Sequence, residues 1–425
     1  MSTARQSPWV QLRTTGPHPL YFRKMVGDAS RDARPGQVVT VYDKEGRLYG
    51  RGHFNDQSPI AVRMLTYGDA PVDDAFWRQR VGEAVRLRRE TLRLDDQTDA
   101  YRLIHAEGDR LSGVVVERYA DRLVFELFSL GMQQEQERIV GLLREHLGPP
   151  SPRPESAARP DSAARGPVDW SVHTRVDDLV AEREGIRLAA PPRPSDAKPA
   201  DARPATRPAG ENSVIIREHG IRYRVDFVGG HKTGFFCDQR DHRRRLAEFT
   251  RGKTLLDLCC YTGGFSLNAR LRGEATDVTA VDLDEKALAI AKENANLNQT
   301  RINVVHSDAF IYLRQMIENN RRFGVVVLDP PKFARSREEL DKALIKYNDL
   351  NTLALQVVEP GGVLLTCSCS GLVSPTDFAE AIRRAARRAG RAVQVLQQGG
   401  AAGDHPVALE CPESEYLKAF WLRVV

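Results

Sequence analysis

Cysteine is scarce in this chain, and long apolar runs are missing. The 425 residues include six cysteines, all in the C-terminal half and without a two-pair Cys-x-x-Cys spacing. We therefore expect neither a disulfide framework nor a structural zinc site, and we predict no metal ligand. No apolar stretch is long enough to span a bilayer, and the N-terminus lacks the apolar core of a signal peptide. A cytoplasmic protein without a membrane partner is the expectation.

Charge of either sign is not in large excess. Lys and Arg number 62 and Asp and Glu 57, which gives a net charge of +5. This mild basicity permits RNA as a partner without demonstrating it. The run Arg243-Arg244-Arg245 could contact phosphates, whereas the arginines within 383–388 match the solvated face of an amphipathic helix.

The length of the chain and its shifts in composition predict two or three domains. Residues 9–75 carry short alternating runs separated by turn signals, which predicts a β-rich domain. Residues 76–190 mix helices with strands, including a strand signal at 172–180, and predict an α+β linking domain. The segments 149–168 and 189–211 are rich in Pro, Ala and Arg and poor in large apolar residues, so we predict a disordered insertion and a disordered linker.

Residues 212–425 alternate strands with helices, which predicts a doubly wound parallel sheet in a multidomain α/β protein. The candidate strands are Thr254–Leu258, Val278–Asp282, Asn303–His306, Gly324–Leu328 and Gly362–Cys367. Two further strands, 392–398 and 416–425, have no helix between them and should form an antiparallel hairpin at one sheet edge. Pairing of an outer strand 416–425 between chains leaves a homodimer open.

Four acidic residues lie where strands of this sheet end. They are Asp257, Asp282, Asp308 and Asp329. In open α/β sheets, ligands bind beyond the carboxyl ends of the strands. The carboxylate of Asp282 could accept both ribose hydroxyls, and Asp308 could meet an adenine amino group, although Asp308 could also be a helix N-cap.

A turn follows the first of these strands and contains Tyr261, Gly263 and Gly264. Glycine lets the backbone approach a ligand without a Cβ in the way. The loop has no G-x-G-x-x-G pattern, which a dinucleotide pyrophosphate would favour. S-adenosylmethionine has a ribose and an adenine but no phosphate, so it is the predicted cofactor, bound by these turn residues together with Asp282, Asp308 and Asp329.

Several motifs in combination resemble the bacterial class I S-adenosylmethionine-dependent methyltransferases that form 5-methylcytidine in large-subunit ribosomal RNA. The motifs are Asp-Pro-Pro-Lys-Phe (329–333), Cys-Tyr-Thr-Gly-Gly-Phe (260–265), His-Lys-Thr-Gly-Phe-Phe-Cys-Asp-Gln-Arg (231–240), Ser-Cys-Ser-Gly-Leu (368–372) and the closing stretch 404–418. The resemblance implies a PUA-like RNA-binding domain within 9–75, a small α+β linking domain and ribosomal RNA as the partner.

The resemblance also implies how the chemistry would proceed. C5 of cytosine is a poor nucleophile, and addition of a thiolate at C6 makes it reactive. Cys369, which matches the Ser-Cys-Ser-Gly motif, is the predicted nucleophile, and Cys367 is assigned to packing on the opposite face of the strand. Asp329 is expected to hold the N3 edge of the cytosine in addition to contacting the cofactor. The remaining predicted contacts to substrate or cofactor are Lys332, Lys232, Gln239 and Arg240.

Two other functions stay open. A related rRNA guanine methyltransferase would share the cofactor motifs, but its reaction needs no thiol addition, so Cys369 argues against it. A catalytically inactive RNA-binding or ribosome-assembly factor could keep the fold alone. The intact acids at all four strand ends argue against that alternative.

Overall fold

A computed structural model describes residues 5–150, 169–188, 212–227 and 234–425. The two segments predicted to be disordered lie outside the described residues, apart from residues 149 and 150, and so does Lys232. The chain divides into two compact units. The first runs to Val214 and includes 406–412, and the second contains most of the remaining chain.

The N-terminal part of the first unit is a six-stranded sheet. Its strands are β1 (Trp9–Leu12), β2 (Leu20–Phe22), β3 (Val26–Ala29), β4 (Val38–Tyr42), β5 (Leu48–Phe54) and β6 (Ile60–Tyr67). They lie in the order β2-β6-β5-β4-β1-β3, and β1 runs parallel to β4. Val10 and Leu12 are buried in β1 because alternate side chains of a strand share a face. The predicted β-rich N-terminal fold is confirmed.

The rest of the first unit is an α+β fold. It contains β7 (Ala100–His105), β8 (Val114–Tyr119), β9 (Arg122–Leu127), β10 (Ser171–Arg175), α1 (Asp74–Arg86), α2 (Leu130–Leu147) and α3 (Asp178–Glu184). The four strands form one sheet in the order β10-β9-β8-β7. The strand expected over 172–180 is wrong in its second half. Asp177 caps α3 there by accepting hydrogen bonds from the backbone N–H groups of Leu179 and Val180.

The second unit is a Rossmann-like domain, as predicted. A two-stranded sheet, β11 (Ser213–Glu218) with β12 (Ile221–Asp226), comes first. The main strands are β13 (Thr254–Leu258), β14 (Asp277–Asp282), β15 (Asn303–His306), β16 (Phe323–Leu328), β17 (Val358–Ser368), β18 (Val393–Gly399) and β19 (Lys418–Val424). The helices are α4 (Arg240–Leu246), α5 (Gly264–Leu271), α6 (Glu285–Leu297), α7 (Ala309–Glu318), α8 (Leu340–Gln356) and α9 (Pro375–Arg388).

The main sheet has the order β15-β14-β13-β16-β17-β19-β18. Neighbouring strands are parallel from β15 to β17, and the terminal antiparallel hairpin is confirmed. Every residue of β16 is buried, as is typical of a parallel strand covered on both faces. Among the described residues, no helix is both long enough and apolar enough to cross a membrane.

The sheet order corrects the predicted route to a homodimer. The strand β19 pairs with β17 on one side and with β18 on the other. Its backbone groups are therefore already used within the chain, and the prediction that 416–425 is an outer strand is wrong. The outer strand on this side of the sheet is β18.

Candidate active site

The strand-end acids gather around the switch point of the sheet. The chain leaves β13 toward β14 on one side, while β16 leads to β17 on the other. Asp257 lies in β13 and Asp329 follows β16, and the backbone N–H of Asp329 donates to the carbonyl of Leu258 at 3.4 Å. Parallel pairing thus brings residues more than seventy positions apart to one edge.

Asp257 is a buried carboxylate that fixes the start of α5. Its Oδ2 accepts hydrogen bonds from both the backbone N–H and the hydroxyl of Ser266, at 3.0 and 2.7 Å. Burial raises the pKa of Asp257 to about 7, and the nearby carboxylates of Asp329 and Asp282 act in the same direction. Asp257 therefore positions the turn between β13 and α5, and it ionises reluctantly.

That turn is conformationally strained. Cys259 and Tyr261 have positive φ angles of 59° and 51°, and Gly263 has a φ of 82°. Residues other than glycine rarely adopt a positive φ angle, and such backbone strain is concentrated at ligand-binding sites. The backbone N–H of Tyr261 donates to Oδ2 of Asp282 at 2.8 Å, which ties the turn to the end of β14.

Gly264 has a structural reason to be glycine. A Cβ at this position would lie 2.9 Å from Cδ of Arg243. Arg243 is buried, and its Nε and Nη2 each donate to the carboxylate of Glu218 at 2.7 Å. Arg243 is therefore not available to phosphates, and that expectation for the run 243–245 is wrong at its first residue. The predicted contact of Gly264 with the cofactor stays a prediction.

Asp282 and Asp308 are both half-buried at the ends of β14 and β15. Asp308 caps α7, since its Oδ1 accepts from the N–H groups of Phe310 and Ile311 at 2.8 and 3.2 Å. The cap alternative is thus confirmed, and the adenine contact stays a prediction. Leu283, directly after Asp282, is 65% exposed.

These groups fit an adenosine. The two carboxylates supply acceptors for hydroxyl and amino groups, and Leu283 offers an exposed apolar surface to a base. Sequence reasoning missed Leu283, although a large apolar residue directly after a strand-end aspartate was a visible signal.

The predicted nucleophile lies beside the Asp-Pro-Pro loop. The Sγ atom of Cys369 is 4.0 Å from the carbonyl oxygen of Pro330, within the range of a thiol hydrogen bond. The amide of Gln239 donates to Oδ2 of Asp329 at 3.0 Å. The fold therefore brings Cys369, Asp329 and Gln239 together, and Lys332 is exposed in the same loop.

Cys367 is fully buried, in keeping with a packing role. Burial raises the pKa of this thiol well above its ordinary value, which disfavours the reactive thiolate. The expectation that it faces away from Cys369 is wrong, because β17 ends at Ser368 and Cys369, just beyond that end, packs on the same side as Cys367. Both thiols contact one hydrophobic cluster, which includes Leu417 and Trp421.

Arg240 is buried in an ion pair. Its Nη1 donates to Oδ2 of Asp404 at 3.1 Å, and both side chains are almost inaccessible to solvent. Nδ1 of His405 lies 3.1 Å from Oδ1 of the same carboxylate. These contacts hold the start of α4 against the closing motif. A direct contact of Arg240 with substrate or cofactor stays a prediction.

Comparison with known proteins identifies the family. Residues 205–400 match the model of the S-adenosylmethionine-dependent methyltransferases, and residues 13–67 match that of a PUA-like domain. The ribosomal RNA large subunit methyltransferase I of Salmonella arizonae is 36% identical over 412 residues, which cover 96% of this chain and 94% of that protein. The chain belongs to this methyltransferase family. Its cofactor is S-adenosylmethionine, as predicted.

A second relative and two solved structures are also similar to this chain. The same-named methyltransferase of Aliivibrio fischeri is 35% identical over 96% of both chains. A solved S-adenosylmethionine-dependent methyltransferase from Streptococcus mutans has a TM-score of 0.73 at 20% identity, over 98% of this chain and 100% of that one. A methyltransferase solved in complex with SAH has the same TM-score and identity, over 98% and 99% of the two chains. These two structures support the fold.

Proposed function

We propose that this protein methylates C5 of a cytidine in large-subunit ribosomal RNA. The name of its relatives supports ribosomal RNA as the substrate, and the PUA-like domain is the proposed RNA-docking module. The observation that favours cytosine C5 is the position of the Cys369 thiol. Its Sγ atom lies 4.0 Å from the carbonyl oxygen of Pro330, the residue that follows Asp329.

The reaction requires that thiol because C5 of cytosine is otherwise a weak nucleophile. The thiolate of Cys369 adds to C6, a C–S bond forms, and the electron pair of the C5–C6 double bond moves toward C5. S-adenosylmethionine supplies an electrophilic methyl group. After C5 has taken that methyl group, its proton leaves to water, the double bond re-forms and the C6–S bond breaks to return the thiolate. The cytidine must lie outside any base stack to reach the thiol.

Asp329 has the second role in this proposal. Its carboxylate accepts a hydrogen bond from the protonated N3 edge of the cytosine adduct, which stabilises the charge that develops there. Gln239 orients Asp329 through the 3.0 Å hydrogen bond to Oδ2. Pro330 and Pro331 restrict the backbone of the loop that presents it.

The nucleophile is tested by Cys369→Ala and by trapping. The variant should bind S-adenosylmethionine as the wild type does in calorimetry and transfer no methyl group to ribosomal RNA from a strain that lacks the gene. Wild-type protein should form a stable covalent complex with RNA that carries 5-fluorocytidine at the target, because fluorine blocks the release step. Cys237→Ala is the matched control and should still form this complex.

The outcomes separate the alternatives. Full activity of Cys369→Ala with a methylated guanine as product would point to the guanine methyltransferase. No measurable affinity for S-adenosylmethionine would point to the inactive assembly factor. Bisulfite mapping of ribosomal RNA from the deletion strain would identify the target cytidine, and an unchanged pattern would contradict the proposal.

A further inference from the structure

Lys418 is a buried lysine at the start of β19. The residue is 3% exposed, and its Nζ donates to the carbonyl oxygens of Ser370 at 2.6 Å and Tyr416 at 2.8 Å. Within the described ranges, no carboxylate lies at ion-pair distance from this ammonium group. A buried charge without a counter-ion is costly. The position therefore calls for a compensating negative charge.

The surroundings of Lys418 indicate which group supplies that charge. The ionisable groups that act on it are the thiol of Cys369, the carboxylate of Glu415 and the ammonium of Lys332. Glu415 and Lys332 are both exposed, so water and salt screen them. Cys369 is partly buried, and the hydrogen bond to the Ser370 carbonyl anchors the Lys418 ammonium to the residue next to it.

We propose that Lys418 is a positioning residue that stabilises the thiolate of Cys369. The inference rests on the proposed function, in which Cys369 is the nucleophile. A neighbouring cation favours the charged form of a thiol, and the thiolate is the form that attacks. Lys418 stays protonated and transfers no proton, and the thiol proton leaves to water. The two charges then compensate each other beside a partly buried thiol.

The other groups near Cys369 do not replace this cation. Tyr347 and Cys367 also interact electrostatically with Cys369, but neither carries a charge near pH 7, because burial raises the pKa of both groups. The carboxylate of Asp329 would oppose the thiolate. Burial lowers the pKa of Lys418 to about 8, so its ammonium form still dominates at neutral pH.

The test measures the ionisation of Cys369 without RNA or cofactor. The rate of alkylation by iodoacetamide is followed from about pH 6 to about pH 10, with the label on the Cys369 peptide quantified by mass spectrometry. In the wild type we expect a midpoint below about 8.5, the ordinary thiol value. In Lys418→Met the midpoint should rise by about one pH unit, so that alkylation near pH 7 is roughly tenfold slower. Lys418→Arg keeps the positive charge, so its alkylation midpoint should lie close to that of the wild type.

An equal midpoint in wild type and folded Lys418→Met would overturn the proposal. If Lys418→Met does not fold, the wild-type midpoint decides, because a value at or above about 8.5 contradicts a stabilised thiolate. The proposed function fails separately. In that case Cys369→Ala would keep its methyltransferase activity, whatever the alkylation midpoint. A shifted midpoint with an inactive Cys369→Ala supports both.

Discussion

The hydroxyl groups of Tyr347 and Ser370 lie 3.0 Å apart in the interior of the methyltransferase domain. The Ser370 oxygen also accepts hydrogen bonds from the backbone N–H groups of Phe333 and Ala334, at 3.1 and 3.3 Å. The Tyr347 hydroxyl accepts a further bond from Ser368 at 3.0 Å. The Ser370 hydroxyl therefore joins the turn after β17 to the loop after β16, and the Tyr347 hydroxyl ties that turn to α8.

This connection sets the spacing between the two groups proposed for catalysis. Cys369 lies between Ser368 and Ser370, and Asp329 begins the loop that the Ser370 oxygen binds. We therefore expect Tyr347→Phe to lower kcat while the KM for S-adenosylmethionine stays near the wild-type value. Loss of the hydroxyl should cost about 0.5–1.5 kcal/mol of unfolding free energy.

Steady-state kinetics and thermal unfolding check this prediction. Tyr312→Phe is the matched control, because the Tyr312 hydroxyl has no hydrogen bond within the described part of the chain, and it should leave both quantities near wild type. A Tyr347→Phe enzyme with wild-type kcat would show that the hydroxyl pair does not position the loops.

Asp257 predicts a specific pH dependence of stability. Its pKa is about 7 in the folded protein against an ordinary value of 3.8. Between about pH 4 and about pH 7 the unfolded chain has therefore ionised this carboxyl while the folded chain has not, so its contribution to the unfolding free energy falls as the pH rises. Above about pH 7 the contribution is constant.

Asp257→Asn removes this titration, since the amide oxygen can still accept the hydrogen bonds from Ser266. The Tm of the variant relative to wild type should rise between about pH 5 and about pH 7 and then level off. Thermal unfolding of both proteins in matched buffers measures the difference. A Tm difference that does not depend on pH would contradict burial of an ionisable Asp257.

Gly264→Ala should disturb the turn between β13 and α5. The added Cβ would lie 2.9 Å from Arg243, whose side chain is held by Glu218 and cannot move away cheaply. Overpacking of this kind costs about 1–3 kcal/mol of unfolding free energy. We also expect weaker S-adenosylmethionine binding by calorimetry, because the turn must shift.

Gly141→Ala provides the control, since nothing lies within 4 Å of a Cβ at that position of α2. Alanine in place of glycine within a helix should stabilise the protein slightly, by about 0.5–1 kcal/mol. Equal stability of the Gly264→Ala and Gly141→Ala variants would refute the predicted clash.

The variant Arg240→Gln tests whether Arg240 holds the structure through its ion pair with Asp404 or contacts the cofactor directly. The change removes the guanidinium that pairs with the buried carboxylate of Asp404, so we expect a loss of about 3–5 kcal/mol in unfolding free energy. The folded variant, measured at low temperature, should bind S-adenosylmethionine with unchanged affinity. The double variant with Asp404→Asn should recover part of the stability. Wild-type stability combined with weakened binding would instead favour a direct contact of Arg240 with the cofactor.

Local patterns predicted the strands of the methyltransferase domain well. The bounds Thr254–Leu258 and Asn303–His306 agree with the structure, because short apolar runs between turn signals are local properties of the chain. The order of the strands was not local. That β19 lies inside the sheet depends on pairing with β17, about fifty residues earlier, and no local pattern encodes that choice.

Buried charged residues escaped prediction for a related reason. Arg243 reads as part of an exposed basic run, but its partner Glu218 lies 25 positions away. Lys418 reads as one more polar residue in the closing motif, but its ammonium binds the carbonyl of Ser370, 48 positions away. Charged residues are usually exposed, so only a tertiary partner could reveal their burial.

The sequence alone was enough to predict the strands, the acids near their ends and the cofactor, and it selected Cys369 as the candidate nucleophile, since short motifs and strand periodicity carry that information. Which charged residues are buried, and how the turn after β17 is held to the loop after β16, depended on the tertiary structure. Three contacts are examples, and each is made by residues far apart in the chain: Cys369 with Pro330, Tyr347 with Ser370, and Lys418 with the Ser370 carbonyl. Such contacts arise from tertiary packing rather than from local propensity, so they form only when the strands and loops have assembled into the folded domain.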